Sequence, residues 1–317
     1  MTAPTTGARH ATAVAGTLST AFIWGASFAA MKYTLQAGLS VGAMLTLRFA
    51  IGSACLGVFL LLLRIRPTWP AVRDGLVLGL FLTVIFWLQA GGLATTTTTK
   101  SGFITGLYVL FTPVASLVLG HRLRIAHGLG ALVATGGLFL LVRTPGASFG
   151  GWNQGDSLTL ACAVGCGFHI AFTGIFSRRS SGWILAFVQV ATLASISLVV
   201  TAFLPAPYGF QTARKALAAP GVWVSLLYLG ILATSLAFWL MSTLQAHLGS
   251  TEAAILYSLE PVFTALLAMT GWIPGIREHL SPTQLLGGAV ILGAMILAEV
   301  GPRWMARFGD ARPELDG

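Results

Sequence analysis

Charge is what this chain has least of. Only 9% of its 317 residues are Asp, Glu, Lys or Arg, against 56% hydrophobic, and the mean hydropathy is +0.83. A soluble domain carries about a quarter charged residues, because its surface must face water; that class is excluded. Cysteine is scarcer still. Cys55, Cys162 and Cys166 all fall within apolar runs, so no disulfide framework is implied. The nine acidic residues leave a formal charge of +9. No polar segment is long enough to gather that excess on one soluble face, which excludes a nucleic-acid surface.

What the chain does have is long oily stretches. Ten runs between charged or turn-rich breaks cover 12–36, 40–63, 74–94, 101–120, 125–143, 155–177, 182–204, 220–246, 251–272 and 281–301. At about 1.5 Å per helical residue, such runs cross a hydrocarbon core of roughly 30 Å. The first follows Arg9 as a secretory signal would, but it is too long for one and nine more follow, so it is read as retained. Lys and Arg set the expected orientation. With the N-terminus inside, the inner segments hold Arg9, Arg64, Arg66, Arg73, Arg122, Arg124, Arg178, Arg179, Arg303, Arg307 and Arg312. The outer loops hold only Lys100, Arg143, Arg214, Lys215 and Arg277. The positive-inside bias places both termini in the cytoplasm.

The stretch "ATTTTTKS" (94–101) imitates a phosphate-binding loop, but Ala94 and Thr99 stand where that loop needs glycine. It is read as the outer turn between spans 3 and 4. Span 4 also resembles span 9: each holds a tyrosine (Tyr108, Tyr257) and a mid-span proline (Pro113, Pro261). "LQA" recurs at 88–90 and 244–246, and "RTPGASFGGWNQGD" (143–156) divides the halves. Two homologous halves of five spans each must lie upside down relative to one another, an arrangement that recurs in transporters.

Several motifs carry a resemblance to a known family. "WGASFAAMK" (24–32), "LRF" (47–49), "TKSGFITGLYVLFTPV" (99–114), "LGHRL" (119–123), "LEPVF" (259–263) and "LLGGAVILGAMIL" (285–297) resemble, in order and spacing, the EamA-type members of the drug/metabolite transporter superfamily. The likeness runs from about residue 15 to 300. It implies an all-α polytopic membrane protein with ten transmembrane helices as two inverted five-helix repeats. It also implies a multi-pass place in the bacterial inner membrane and movement of small metabolites, often amino-acid efflux. The expected division is a cytoplasmic tail (1–11), a first repeat (12–143), a linker (144–154), a second repeat (155–301) and a second cytoplasmic tail (302–317). This chain departs from the family in having His121 where an acidic residue commonly follows span 4; after span 9, Glu278 is the candidate for that position.

Ionisable groups inside a span cost about 2.5–3.5 kcal/mol each at the bilayer centre, so they face protein or water. Arg48, His169 and Glu260 lie at such depth. Two readings are open for Glu260: a cavity carboxylate meeting a substrate amine or a proton, or a buried partner for Arg48 or a helix-end amide. Arg48 is likewise either a carboxylate-binding guanidinium or an interhelical bond. Helical spacing sets polar stripes in span 1 (Thr17, Thr20, Trp24, Ser27), span 4 (Ser101, Thr105, Tyr108, Thr112), span 6 (Cys162, Cys166, His169, Thr173) and span 8 (Ser225, Tyr228, Ser235, Trp239, Ser242).

The expected substrate cavity is therefore built from Trp24, Ser27, Arg48, Gln89, Tyr108, His169, Gln189, Trp239, Tyr257 and Glu260, with Pro113 and Pro261 as helix bends. Cys162, Cys166 and His169 share a helix face but lack further ligands nearby in sequence, so no metal is expected. Nor is a cofactor or a catalytic residue expected, since no nucleophile is brought beside a base. The expected partners are a small-molecule substrate and the lipid bilayer, with a homodimer admitted and no nucleic acid. The function expected is a secondary transporter working by alternating access; a passive channel and an intramembrane enzyme are the rival readings.

Overall fold

The computed structural model describes residues 6–118, 125–142, 151–205, 208–248, 253 and 256–309. His121, most of the 144–154 linker, and 1–5 and 310–317 of the two tails lie outside the described residues. The described residues are helical, apart from turns, loops and one isolated bridge between Ile273 and Ile276. In chain order the main helices are α1 (Thr6–Gln36), α2 (Val41–Leu62), α3 (Trp69–Thr95), α4 (Thr98–Gly106), α5 (Tyr108–Val118), α6 (Ile125–Val142), α7 (Gln154–Phe176), α8 (Gly182–Phe203), α9 (Pro220–His247), α10 (Glu260–Thr270) and α11 (Pro282–Gly309).

Six helices among the described residues are long and apolar enough to cross a bilayer: Arg9–Gln36, Val41–Leu62, Trp69–Thr95, Gln154–Phe176, Gly182–Phe203 and Pro220–His247. Two further expected spans are interrupted. The 101–120 run stops at Leu107 and restarts as α5; the 251–272 run turns at Ser258–Leu259 before α10. Pro113 lies inside α5, and Pro261 sits in the first turn of α10, where a missing N–H costs nothing.

Local chemistry sets the helix starts. Ser40 caps α2 by accepting from the Ala43 N–H, and Pro70 opens α3. Asn153 and Asp156 form a reciprocal capping box at the start of α7. Gly271, at φ 65°, ends α10 in the left-handed region that favours glycine.

Packing alternates across the chain. α3 lies along α7 and α8, α2 along α8 and α9, α1 along α9 and α10, α4 against α7 and α10, α5 against α7, and α6 along α11. At the α6–α11 crossing a Cβ on Gly137 would stand 2.9 Å from the Gly287 carbonyl oxygen, so these helices touch backbone to backbone. Apolar side chains such as Leu61, Leu80, Val84, Leu198 and Val199 are exposed on the periphery, the surface a bilayer would cover.

Candidate functional site

A narrow cavity lies between the helices, lined by residues from both halves of the chain. α1 supplies Trp24, Ser27 and Phe28; α3 supplies Leu82, Ile85, Phe86 and Gln89. Thr105 and Tyr108 come from the α4–α5 junction, Cys166, His169 and Ile170 from α7, and Phe238 and Met241 from α9. Arg48 and Glu260 complete the wall. Aromatic and aliphatic carbon dominates, with a few polar groups set into it.

Arg48 has no exposed surface and is held on every nitrogen. Its Nε donates to Thr234 Oγ1 at 3.0 Å, one terminal nitrogen to Met31 Sδ at 3.0 Å and the other to the Ala233 carbonyl at 3.3 Å. The guanidinium carbon also lies 4.7 Å from the Phe86 ring centre and 5.1 Å from that of Phe49. Those contacts use three of its five N–H donors.

Glu260 is also buried, and its Oε2 accepts from the Tyr108 hydroxyl at 3.4 Å. No ion pair joins Arg48 to Glu260 among the described residues. Trp24 donates its indole N–H to Ala233 at 3.1 Å, and Ser27 donates back to the Trp24 carbonyl. His169 Nε2 meets Gln189 Oε1 at 2.9 Å, while Gln189 Nε2 donates to Ser242 Oγ at 3.0 Å. Three helices thereby fix one imidazole edge.

Of the ten residues expected at the site, Trp24, Ser27, Arg48, Gln89, Tyr108, His169 and Glu260 share this cavity. The other three stand off its wall. Gln189 backs His169, Trp239 packs on Trp183 with ring centres 4.9 Å apart, and Tyr257 packs on Trp24 at 5.5 Å. The site also includes groups that no sequence pattern singled out: Phe86 beside the guanidinium, and Met31, Ala233 and Thr234 as its ligands. Cys162 Sγ stands 3.8 Å from Cys166 Sγ, and no group of three potential metal-ligating side chains occurs among the described residues.

Both ends of α3 are tied to the second half of the chain. At one end Arg179 donates to Asp74 at 2.8 and 2.7 Å, and Ser180 adds a bond at 3.0 Å. At the other, Thr96 donates a close hydrogen bond to Asp156, which also meets Lys100 Nζ at 3.4 Å. Lys32 caps the last carbonyls there, reaching Leu93 and Thr96 at 2.8 Å each. Glu278 accepts from the Thr98 and Thr99 N–H groups at 2.5 and 2.9 Å, capping α4 from 180 residues away.

Comparison with known proteins gives the family. The EamA-like transporter family matches residues 11–143 and again residues 157–299. The chain belongs to that family. EamA proteins fall within the drug/metabolite transporter superfamily, and the oily helices fit a multi-pass membrane protein. An uncharacterized transporter of Archaeoglobus fulgidus is 34% identical over 281 residues, spanning 88% of this chain and 83% of its own. A second uncharacterized transporter of that organism is 24% identical over 230 residues, covering 71% and 74%. One solved crystal structure superposes with a TM-score of 0.64 at 21% identity, over 93% of this EamA chain and 99% of its own, a likeness of fold alone.

Proposed function

We propose that this EamA protein is a secondary transporter that moves a small zwitterionic metabolite, an amino acid or a close relative, by alternating access. The observation that carries the reading is the pair Arg48 and Glu260. One is basic and the other acidic, both are buried, both stand on one cavity wall, and each is held by separate neighbours rather than by the other. Buried charges are stabilised by partners. A ligand bearing a carboxylate and an ammonium supplies one to each, and the apolar walls take its side chain.

Packing supports the two inverted five-helix repeats. If α1, α2, α3, α4–α5 and α6 are matched in order with α7, α8, α9, α10 and α11, the contacts exchange as a pseudo-twofold requires. α1–α10 corresponds to α5–α7, α2–α9 to α3–α8, and α1–α9 to α3–α7, while α2–α8, α4–α10 and α6–α11 map onto themselves. Such symmetry provides a second conformation of similar energy that opens to the other side. Substrate shifts the two only through different contacts in each. The reading places the protein in the bacterial inner membrane with both termini cytoplasmic and takes the physiological direction as efflux.

The test is counterflow in proteoliposomes with labelled L-phenylalanine. Saturable uptake that is stimulated by unlabelled substrate on the opposite side is the expected result. Linear, unstimulated flux would mark a pore. Chemically altered product would mark an enzyme.

A further inference from the structure

The middle of α9, Tyr228–Leu236, is wound as a π-helix, and this wide turn frees a main-chain carbonyl beside the cavity. In an α-helix the Ala237 N–H would bond to the Ala233 carbonyl. Here it reaches Leu232 and Thr234 instead. The released Ala233 oxygen accepts from two side chains of other helices, the Trp24 indole and the Arg48 guanidinium, at 3.1 and 3.3 Å. Thr234, the next residue, accepts from Arg48 Nε at 3.0 Å. Neither Ala233 nor Thr234 lines the cavity, whereas Trp24 and Arg48 both do. Short π-turns inside α-helices occur frequently at functional sites.

We propose that the π-turn of α9 is the positioning element of the substrate's carboxylate subsite, with Thr234 as its positioning residue. Thr234 holds the Nε edge of Arg48 and the freed carbonyl holds one terminal nitrogen. The guanidinium is therefore held in one fixed orientation at the cavity wall. The ligand chemistry this selects is a planar carboxylate, which arginine grips through parallel N–H bonds. The proposal rests on the transport reading above for its ligand, but the positioning of Arg48 stands on the protein's own hydrogen bonds.

The experiment compares wild type with T234V, which keeps the shape and removes the hydroxyl, and with T234S, which restores it. Uptake of L-phenylalanine is measured beside phenethylamine, which lacks the carboxylate. T234V is expected to raise KM for L-phenylalanine about tenfold, the size of one lost hydrogen bond to a charged group, with kcat little changed. KM for phenethylamine stays within about twofold, a change below the energy of one such bond, and T234S recovers wild-type behaviour. Equal changes for both probes, or none, would overturn the carboxylate assignment. Exchange of the Arg48 Nε–H with solvent, read by nitrogen-15 NMR in detergent, reports positioning without transport. It is expected to quicken about tenfold in T234V and to return in T234S. Equal rates in wild type and T234V would overturn the proposal even in a protein that moves neither probe. Inert wild-type protein with the expected exchange difference would instead count against the substrate reading.

Discussion

The Tyr108 hydroxyl donates to Glu260 at 3.4 Å, joining the restart of one broken helical run to the restart of the other. Each residue opens the helix that follows a break, and both face the cavity. Glu260→Gln keeps the shape and removes the charge, so L-phenylalanine uptake is expected to fall by about a hundredfold or more, as for one partner of a buried charge contact. Tyr108→Phe removes a single long hydrogen bond and is expected to raise KM about threefold to tenfold. A Glu260→Gln protein with wild-type kinetics would remove the carboxylate from the site.

Gln189 touches no cavity surface, yet it binds the imidazole that does. Gln189→Leu leaves His169 Nε2 without its partner and frees the ring to rotate. KM is expected to rise about fivefold, on the scale of one net hydrogen bond, while Gln189→Asn, one methylene short, is expected to fall between. Saturation kinetics in proteoliposomes decide the order of the three.

Where α6 crosses α11, the obstacle to any larger side chain at Gly287 is backbone of Gly137, Leu140 and Leu141, which cannot move aside. Gly287→Val is expected to cost about 1–3 kcal/mol by overpacking, seen as an earlier thermal transition in detergent. Gly293→Val is the control, since nothing lies within 4 Å of its added Cβ.

Glu278 offers its carboxylate to two amide groups at the start of α4. A charge at a helix N-terminus contributes about 0.3–2 kcal/mol depending on burial. Glu278→Gln is therefore expected to lower the melting temperature by about 2–4 °C per kcal/mol lost, and Glu278→Ala by more. Unchanged melting in both variants would show that water serves these amides equally well.

The apolar runs announced the membrane, and the helical spacing of polar residues showed which way helices turn. Ser101, Thr105, Tyr108 and Thr112 are all buried, as are Thr17, Thr20 and Ser27. What spacing cannot convey is the partner across the interface. In span 8 the stripe drawn at α-helical intervals passes through a π-helical stretch, where the interval changes. Phe238 and Met241 reach the cavity from α9, while Ser235 and Ser242 make interhelical bonds. Met31, an apolar neighbour of Lys32, gave no sign that its sulfur would take a guanidinium. Glu278 was visible as an acidic residue in an extended loop, but its role depends on two backbone amides 180 residues earlier.

The fastening of α3 at both of its ends constrains how the molecule can come apart. Asp74 and Thr96, near opposite termini of that helix, are each bonded to residues beyond position 150. A motion that slid residues 12–143 as one block past residues 155–301 would have to rupture both fastenings at once. A unit held together by these bonds is not a stretch of contiguous chain: α3 is fastened to α7 and α8, which lie beyond the boundary between the two halves.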